Sequence, residues 1–152
     1  MRKRLRILVA VDFSRDSDRA LRAVADLARK TGASVTVAHA RPFSDLRAAV
    51  EQDRGDLVQR STPALRRGLA AHYQARLEAA GKLAGGARAR LLRGWPAKAI
   101  AREAARGYDL IAIGQRGRGG VRRALFGSTA EELIHRVRVP VLLVRSPAKR
   151  DR

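Results

Sequence analysis

The chain has 152 residues and no cysteine, the length of one globular domain, which excludes a disulfide framework, a thiolate zinc site and a cysteine nucleophile. Hydrophobic residues make up 45% and charged residues 31%, a globular balance, and no run of roughly 18 apolar residues is present to span a membrane. Lys and Arg number 33 against 14 Asp and Glu, a formal net charge of +19 that draws in polyanions, whether nucleotide, nucleic acid or anionic lipid.

Met1-Arg2-Lys3-Arg4 is basic like the start of a signal peptide, but the apolar run Leu5–Val11 meets Asp12 too soon, so a cytoplasmic protein is expected. That run is rich in branched residues and reads as a strand buried on both faces. Apolar residues then fall at Ala20, Leu21, Val24, Leu27 and Ala28, with acids early, bases late and Gly32 as a stop, which is a helix. Ser34–Ala40 reads as a second strand. Residues 41–61 are polar and broken by Pro42 and Gly55, and are expected to form a surface loop. Thr62-Pro63 opens a second helix, with Leu65, Leu69, Tyr73 and Leu77 at four-residue spacing and a stop at Gly81. Ala87–Arg93 is a third strand, Pro96–Arg106 a short helix, and Tyr108–Gly114 a fourth strand. Glycines and arginines fill 115–127, a helix follows over Ser128–Arg136, and Pro140–Arg145 is a fifth strand.

Strands alternating with helices predict a three-layer α/β/α sandwich around a five-stranded, mostly parallel, Rossmann-like sheet. Residues 1–146 form its one domain and 147–152 a frayed basic tail. In such sheets ligands bind at the C-terminal ends of the strands, where the strand order reverses. With order 3-2-1-4-5, strands one and four flank the reversal, and both end in unusual residues. Strand one runs into Asp12 and Ser14; strand four runs into Gly114, Gly117, Gly119 and Gly120, with Gly127-Ser128-Thr129 just before a helix.

Glycines let backbone N–H groups approach an anion, and the helix start adds free donors, hydroxyls and the positive end of the dipole. These features describe a phosphate cradle, although a glycine-rich β-to-α connection that binds nothing has the same composition. Asp12 likewise has three readings: a helix cap, a salt bridge to an arginine, or an acceptor for the hydroxyls or base of a nucleotide.

The spacing Gly114-x2-Gly117-x9-Gly127-Ser128 resembles the nucleotide motif of universal stress proteins. Four further anchors, in order, resemble the same family: Val9–Ser14, Gly94-Trp95-Pro96 with Ile100, Tyr108–Ile111 and Val139–Val144. The resemblance spans nearly the whole chain, with 41–61 the least comparable part. It implies the adenine-nucleotide alpha-hydrolase-like form of the fold and an ATP-binding member. Adenosine would lie against Ala10, Asp12 and Ala40, and ribose and phosphates against Gly114, Gly117, Gly127, Ser128 and Thr129. Any magnesium or manganese ion would travel on the phosphates, because no carboxylate cluster is present to hold it. The resemblance also implies a homodimer through the edge strand at 140–145. The departure from the family is the charge, since many of its members are near neutral or acidic.

An enzyme is the first alternative. The chain lacks GxxxxGK(S/T), has no GxGxxG after a strand, and reads DFSRDS where related adenylating enzymes carry SGGxDS. His39, His72 and His135 lie on three different elements, His39 at a strand end from which it could face the crevice. The expectation is at most slow ATP hydrolysis, with no catalytic residue and no protein metal site. A nucleic-acid binder is the second alternative, favoured by 28 arginines against 5 lysines. Only 4% of residues are aromatic, too few for a base-stacking platform, and the arginines are scattered along the chain. The role that the resemblance implies is a stress-response regulator. Bound ATP would order 115–127 and alter a surface read by a regulatory protein partner.

Overall fold

A computed structural model describes residues 3–41, 63–116 and 126–145. Arg41, the first residue of the expected surface loop, belongs to β2; the rest of that loop, Thr62, Gly117 and the basic tail lie outside the described residues. Among the described residues five strands, β1 (Arg6–Ala10), β2 (Ser34–Arg41), β3 (Arg88–Arg93), β4 (Leu110–Gly114) and β5 (Val141–Val144), alternate with four helices. These are α1 (Arg15–Thr31), α2 (Pro63–Leu83), α3 (Pro96–Ala104) and α4 (Ser128–Arg136). The sheet order is β3-β2-β1-β4-β5 and every pairing is parallel, so the sequence expectation holds.

Alternation along β1 explains the three layers. Ile7, Val9 and Val11 point to one face, where they pack with Val35, Val37 and the α1 residues Ala20, Leu21 and Val24. Leu8 and Ala10 point to the other, against Ile100 and Ala104 of α3 and Ala130 and Leu133 of α4. A central strand covered on both faces must be apolar at consecutive positions, which is the run seen in the sequence. Leu77 alone of the α2 spacing is fully buried; Leu69 and Tyr73 are half-buried, and the Leu65 side chain lies outside the description.

Helix boundaries follow local chemistry. Ser14 caps α1 by accepting the Ser17 N–H, and Gly32 ends it at φ 71°. The expected stop at Gly81 is displaced: α2 continues to Leu83, and Gly85 and Gly86, at φ 76° and 85°, make the turn. Gly81 serves a different need. A Cβ there would lie 2.5 Å from the Ala87 carbonyl oxygen, so only glycine lets the chain entering β3 pass so close to the helix.

Candidate functional site

β1 and β4 are neighbours, with Ala10 opposite Ile113, and the strand order reverses between them. Their C-terminal ends therefore open into the crevice that open parallel sheets use for ligands. Ala10 and Ala40 are both buried on the α3/α4 face, in one cluster with Ala130 from the first turn of α4. All three positions carry the small side chain of alanine.

Past β1 the chain turns sharply. The Val11 N–H continues the ladder to the Ala38 carbonyl (2.9 Å), and Asp12 Oδ1 then accepts the Ser14 N–H (3.0 Å). Asp12 is thus a turn-forming acceptor immediately before the helix cap, which is Ser14, a role beside the three readings that its sequence position left open. Phe13 between them has φ 63°, a left-handed conformation that costs a non-glycine residue about 1–2 kcal/mol. Packing offsets that cost: the Phe13 ring lies 4.8 Å from His39 and 6.2 Å from Tyr73, with the Arg76 guanidinium 4.1 Å over it.

His39 is thereby accounted for. It shares the α1/α2 face with Val35 and Val37, stacks 4.8 Å from Tyr73, and its Nδ1–H donates to the Val11 carbonyl (2.8 Å). It braces the turn from beneath and does not face the α3/α4 side of the crevice.

The glycine motif divides in the structure. Gly114 ends β4 directly beneath the first turn of α1: a Cβ there would lie 2.6 Å from the Asp16 carbonyl carbon and 2.7 Å from its oxygen. Glycine is required at this position by helix packing alone. Gly127 is the N-cap of α4, and its N–H donates to the Gln115 carbonyl at 2.7 Å, which fastens the helix start to the end of β4. Having no side chain, Gly127 offers the helix no cap. The amides of Ser128, Thr129 and Ala130 have no acceptor within the helix by geometry, and Ser128 is exposed and Thr129 half-buried beside them.

Sequence reasoning missed one residue, Asp16. This buried carboxylate accepts the Arg116 N–H (3.1 Å) and pairs with Arg19 (2.9 Å). The carboxylate that joins the first turn of α1 to the glycine motif is thus four residues beyond Asp12. Its place in DFSRDS reads as an ordinary helix-start acid, and only the tertiary contact reveals its reach.

Trp95 sits at the N-cap of α3 and is 58% exposed. Its Nε1–H donates to Glu132 of α4 (3.1 Å), which also pairs with Arg136 (2.7 Å). The Arg136 hydrogen bond, with smaller help from Trp95 and Lys98, holds the Glu132 carboxyl below its ordinary range. Among the described residues no three His, Asp or Glu side chains gather to hold a metal ion, and no helix is long and apolar enough to cross a membrane.

The family model described as "Universal stress protein family" matches residues 3–145. The chain belongs to the universal stress protein family. A curated relative, stress response protein NhaX of Bacillus subtilis, is 29% identical and covers 92% of this chain and 97% of its own. The structure of the hypothetical protein MJ0577 superposes with a TM-score of 0.77 at 23% identity, over 95% of this chain and 98% of that one. Two universal stress proteins of the same fold were solved with nucleotides. One, in complex with cAMP, has a TM-score of 0.63 at 20% identity, over 95% of this chain and 98% of that one. The other, from Archaeoglobus fulgidus in complex with dAMP, has 0.58 at 23%, over 95% and 99%.

Proposed function

We propose that this universal stress protein binds ATP in the crevice at the C-terminal ends of β1 and β4 and acts as a nucleotide-dependent regulator in the cytoplasm. The observation that carries the reading is the Gly127–Gln115 hydrogen bond of 2.7 Å. It sets a helix N-terminus without a side-chain cap at the end of β4, where amides and dipole favour an anion. The small side chains of Ala10 and Ala40 accommodate adenosine, and Asp12 accepts from its hydroxyls or base. Gly117, Gly127, Ser128 and Thr129 take the phosphates, while Gly114 serves by letting α1 pack close. The adenine nucleotides bound by the cAMP and dAMP complexes support the ligand class. A magnesium or manganese ion would travel on the phosphates as a companion of ATP.

β5 is an edge strand, and Leu142 on it is 37% exposed, which supports a homodimer formed by pairing of that edge. A regulatory protein partner would read the nucleotide-bound surface.

Mass analysis of the small molecule released when the purified protein is denatured tests the ligand, and calorimetric titration with Mg-ATP tests the binding. Recovery of ATP, and a titration that weakens about tenfold in Asp12→Asn with an unchanged melting temperature, is expected. A chain that releases no nucleotide and does not bind added ATP refutes the proposal.

A further inference from the structure

The end of the sheet opposite the nucleotide crevice carries a groove of about 1120 Å³ that runs across the starts of β1, β2 and β3. It is bounded by α1 on one side, the α2–β3 turn at its middle and the end of α3 on the other. Of its 22 lining residues, eight are Lys or Arg and two are Asp or Glu. Both carboxylates are already engaged. Asp26 pairs with Arg29, and the buried Glu103 pairs with Arg90 (3.0 Å) and Arg106 (3.4 Å) and accepts the Tyr108 hydroxyl (3.3 Å).

The remaining cations keep their charge. Arg6 donates to the carbonyls of Arg106 (3.0 Å) and Gly107 (2.9 Å), with its guanidinium 4.7 Å over the Tyr108 ring. Arg4 donates to the Gly32 carbonyl. A carbonyl orients a guanidinium without cancelling it, so these two are fixed in place and still positive. Arg22, Lys82 and Arg88 are exposed and take part in no ion pair among the described residues. Like charges gathered in one concavity repel each other, a standing cost that a polyanion would relieve.

We propose that this groove binds a linear chain of phosphates by its backbone, either the phosphodiester of a nucleic acid or the phosphoanhydride of inorganic polyphosphate. Cations contributed by three separate chain segments match a ligand with many charges spaced along its length better than they match one small anion. Arginine forks suit phosphate oxygens. The one aromatic ring in the lining, Tyr108, is buried with Arg6 on its face, so bases find no stacking platform and binding does not depend on sequence. The site is separate from the nucleotide crevice and does not depend on it.

The test is fluorescence anisotropy with a labelled 20-nucleotide single-stranded RNA, polyphosphate of matched charge as competitor, and anionic phosphatidylglycerol vesicles as a third arm. The triple variant Arg22→Ala, Lys82→Ala, Arg88→Ala should bind RNA roughly 100-fold more weakly at about 100 mM salt, with the log–log salt slope reduced by about 2. An equal change of charge elsewhere, Lys98→Ala, Arg102→Ala, Arg138→Ala, should cost less than about threefold. Asp26→Asn, which releases Arg29, should tighten binding by about threefold, a gain that no loss of folding can imitate. Polyphosphate competition marks both chains as ligands and its failure restricts the site to phosphodiesters; either result upholds the proposal. Equal losses in the two triple variants, an unaffected groove variant, or vesicle binding without binding of either phosphate chain overturns it.

Discussion

Gly127→Asp separates a phosphate cradle from a mere connection, because folding and binding should respond to it in opposite directions. Gly127 has φ −69° and ψ 151°, an extended conformation that aspartate adopts without strain, at an N-cap position where aspartate is preferred. Its own N–H still reaches the Gln115 carbonyl, since that bond is made by backbone. The new carboxylate would cap the amide of Thr129 or Ala130 and sit at the positive end of the α4 dipole. Together these effects contribute about 0.3–1 kcal/mol, or a rise of about 1–4 °C in melting temperature. The same amides are those assigned to phosphate, and the added charge lies about 5 Å from where the phosphates would sit. The repulsion is about 3 kcal/mol at an effective dielectric constant of 20 and about 0.8 kcal/mol in water. ATP affinity should therefore fall by about fourfold to 150-fold. Gly127→Asn caps equally well without the charge and should lose less, the difference measuring the Coulomb part. Calorimetric titration with Mg-ATP, beside a thermal melt of each variant, reads both quantities. Undiminished affinity in a Gly127→Asp protein that melts no lower than the parent would refute the placement of the phosphates.

Gly114→Ala should cost about 3 kcal/mol in urea denaturation, because its Cβ would meet the Asp16 backbone at 2.6 Å and neither β4 nor the first turn of α1 can retreat. A loss under about 0.5 kcal/mol would show that this packing is not tight. Asp109 accepts the Arg6 N–H (2.9 Å), with Lys3 beside it at 3.4 Å, and these hold its carboxyl below the ordinary aspartate value. A depressed folded-state pKa stabilises the protein above the ordinary value and is lost as pH falls through the depressed one. Asp109→Asn should thus be less stable than the parent at neutral pH, and the two urea midpoints should converge as pH falls below the ordinary aspartate value of about 3.9. Midpoints that stay equally far apart at every pH would contradict this. Leu142→Asp on β5 should give the monomer mass in analytical ultracentrifugation where the parent gives twice that mass, and an unaltered mass would exclude pairing through this edge.

The fold was legible because its signals are local. A buried parallel strand is apolar along its length, as Leu8, Val9, Ala10 and Val11 are, and α1 carries its capping serine and stop glycine within its own segment. The alternation of such elements and the glycine spacing from 114 to 127 then pointed to one end of one sheet. Gly81 was misread as a stop because glycine ends helices more often than it permits a close crossing, and the carbonyl it makes room for belongs to Ala87 across the turn.

The sequence by itself determined the elements and their alternation, since period and turn chemistry depend on residues a few positions apart. Tertiary structure alone decided that Gly114 makes room for Asp16, that Asp16 reaches Arg116, and that Phe13 is held left-handed over His39 and Tyr73. It also decided which arginines line one groove: Arg6, Arg22, Arg88 and Arg106 are scattered along the chain and are gathered where the strands of the sheet begin. Charge has no period to reveal its partners, so its meaning appears only when folding brings distant segments within a few ångströms.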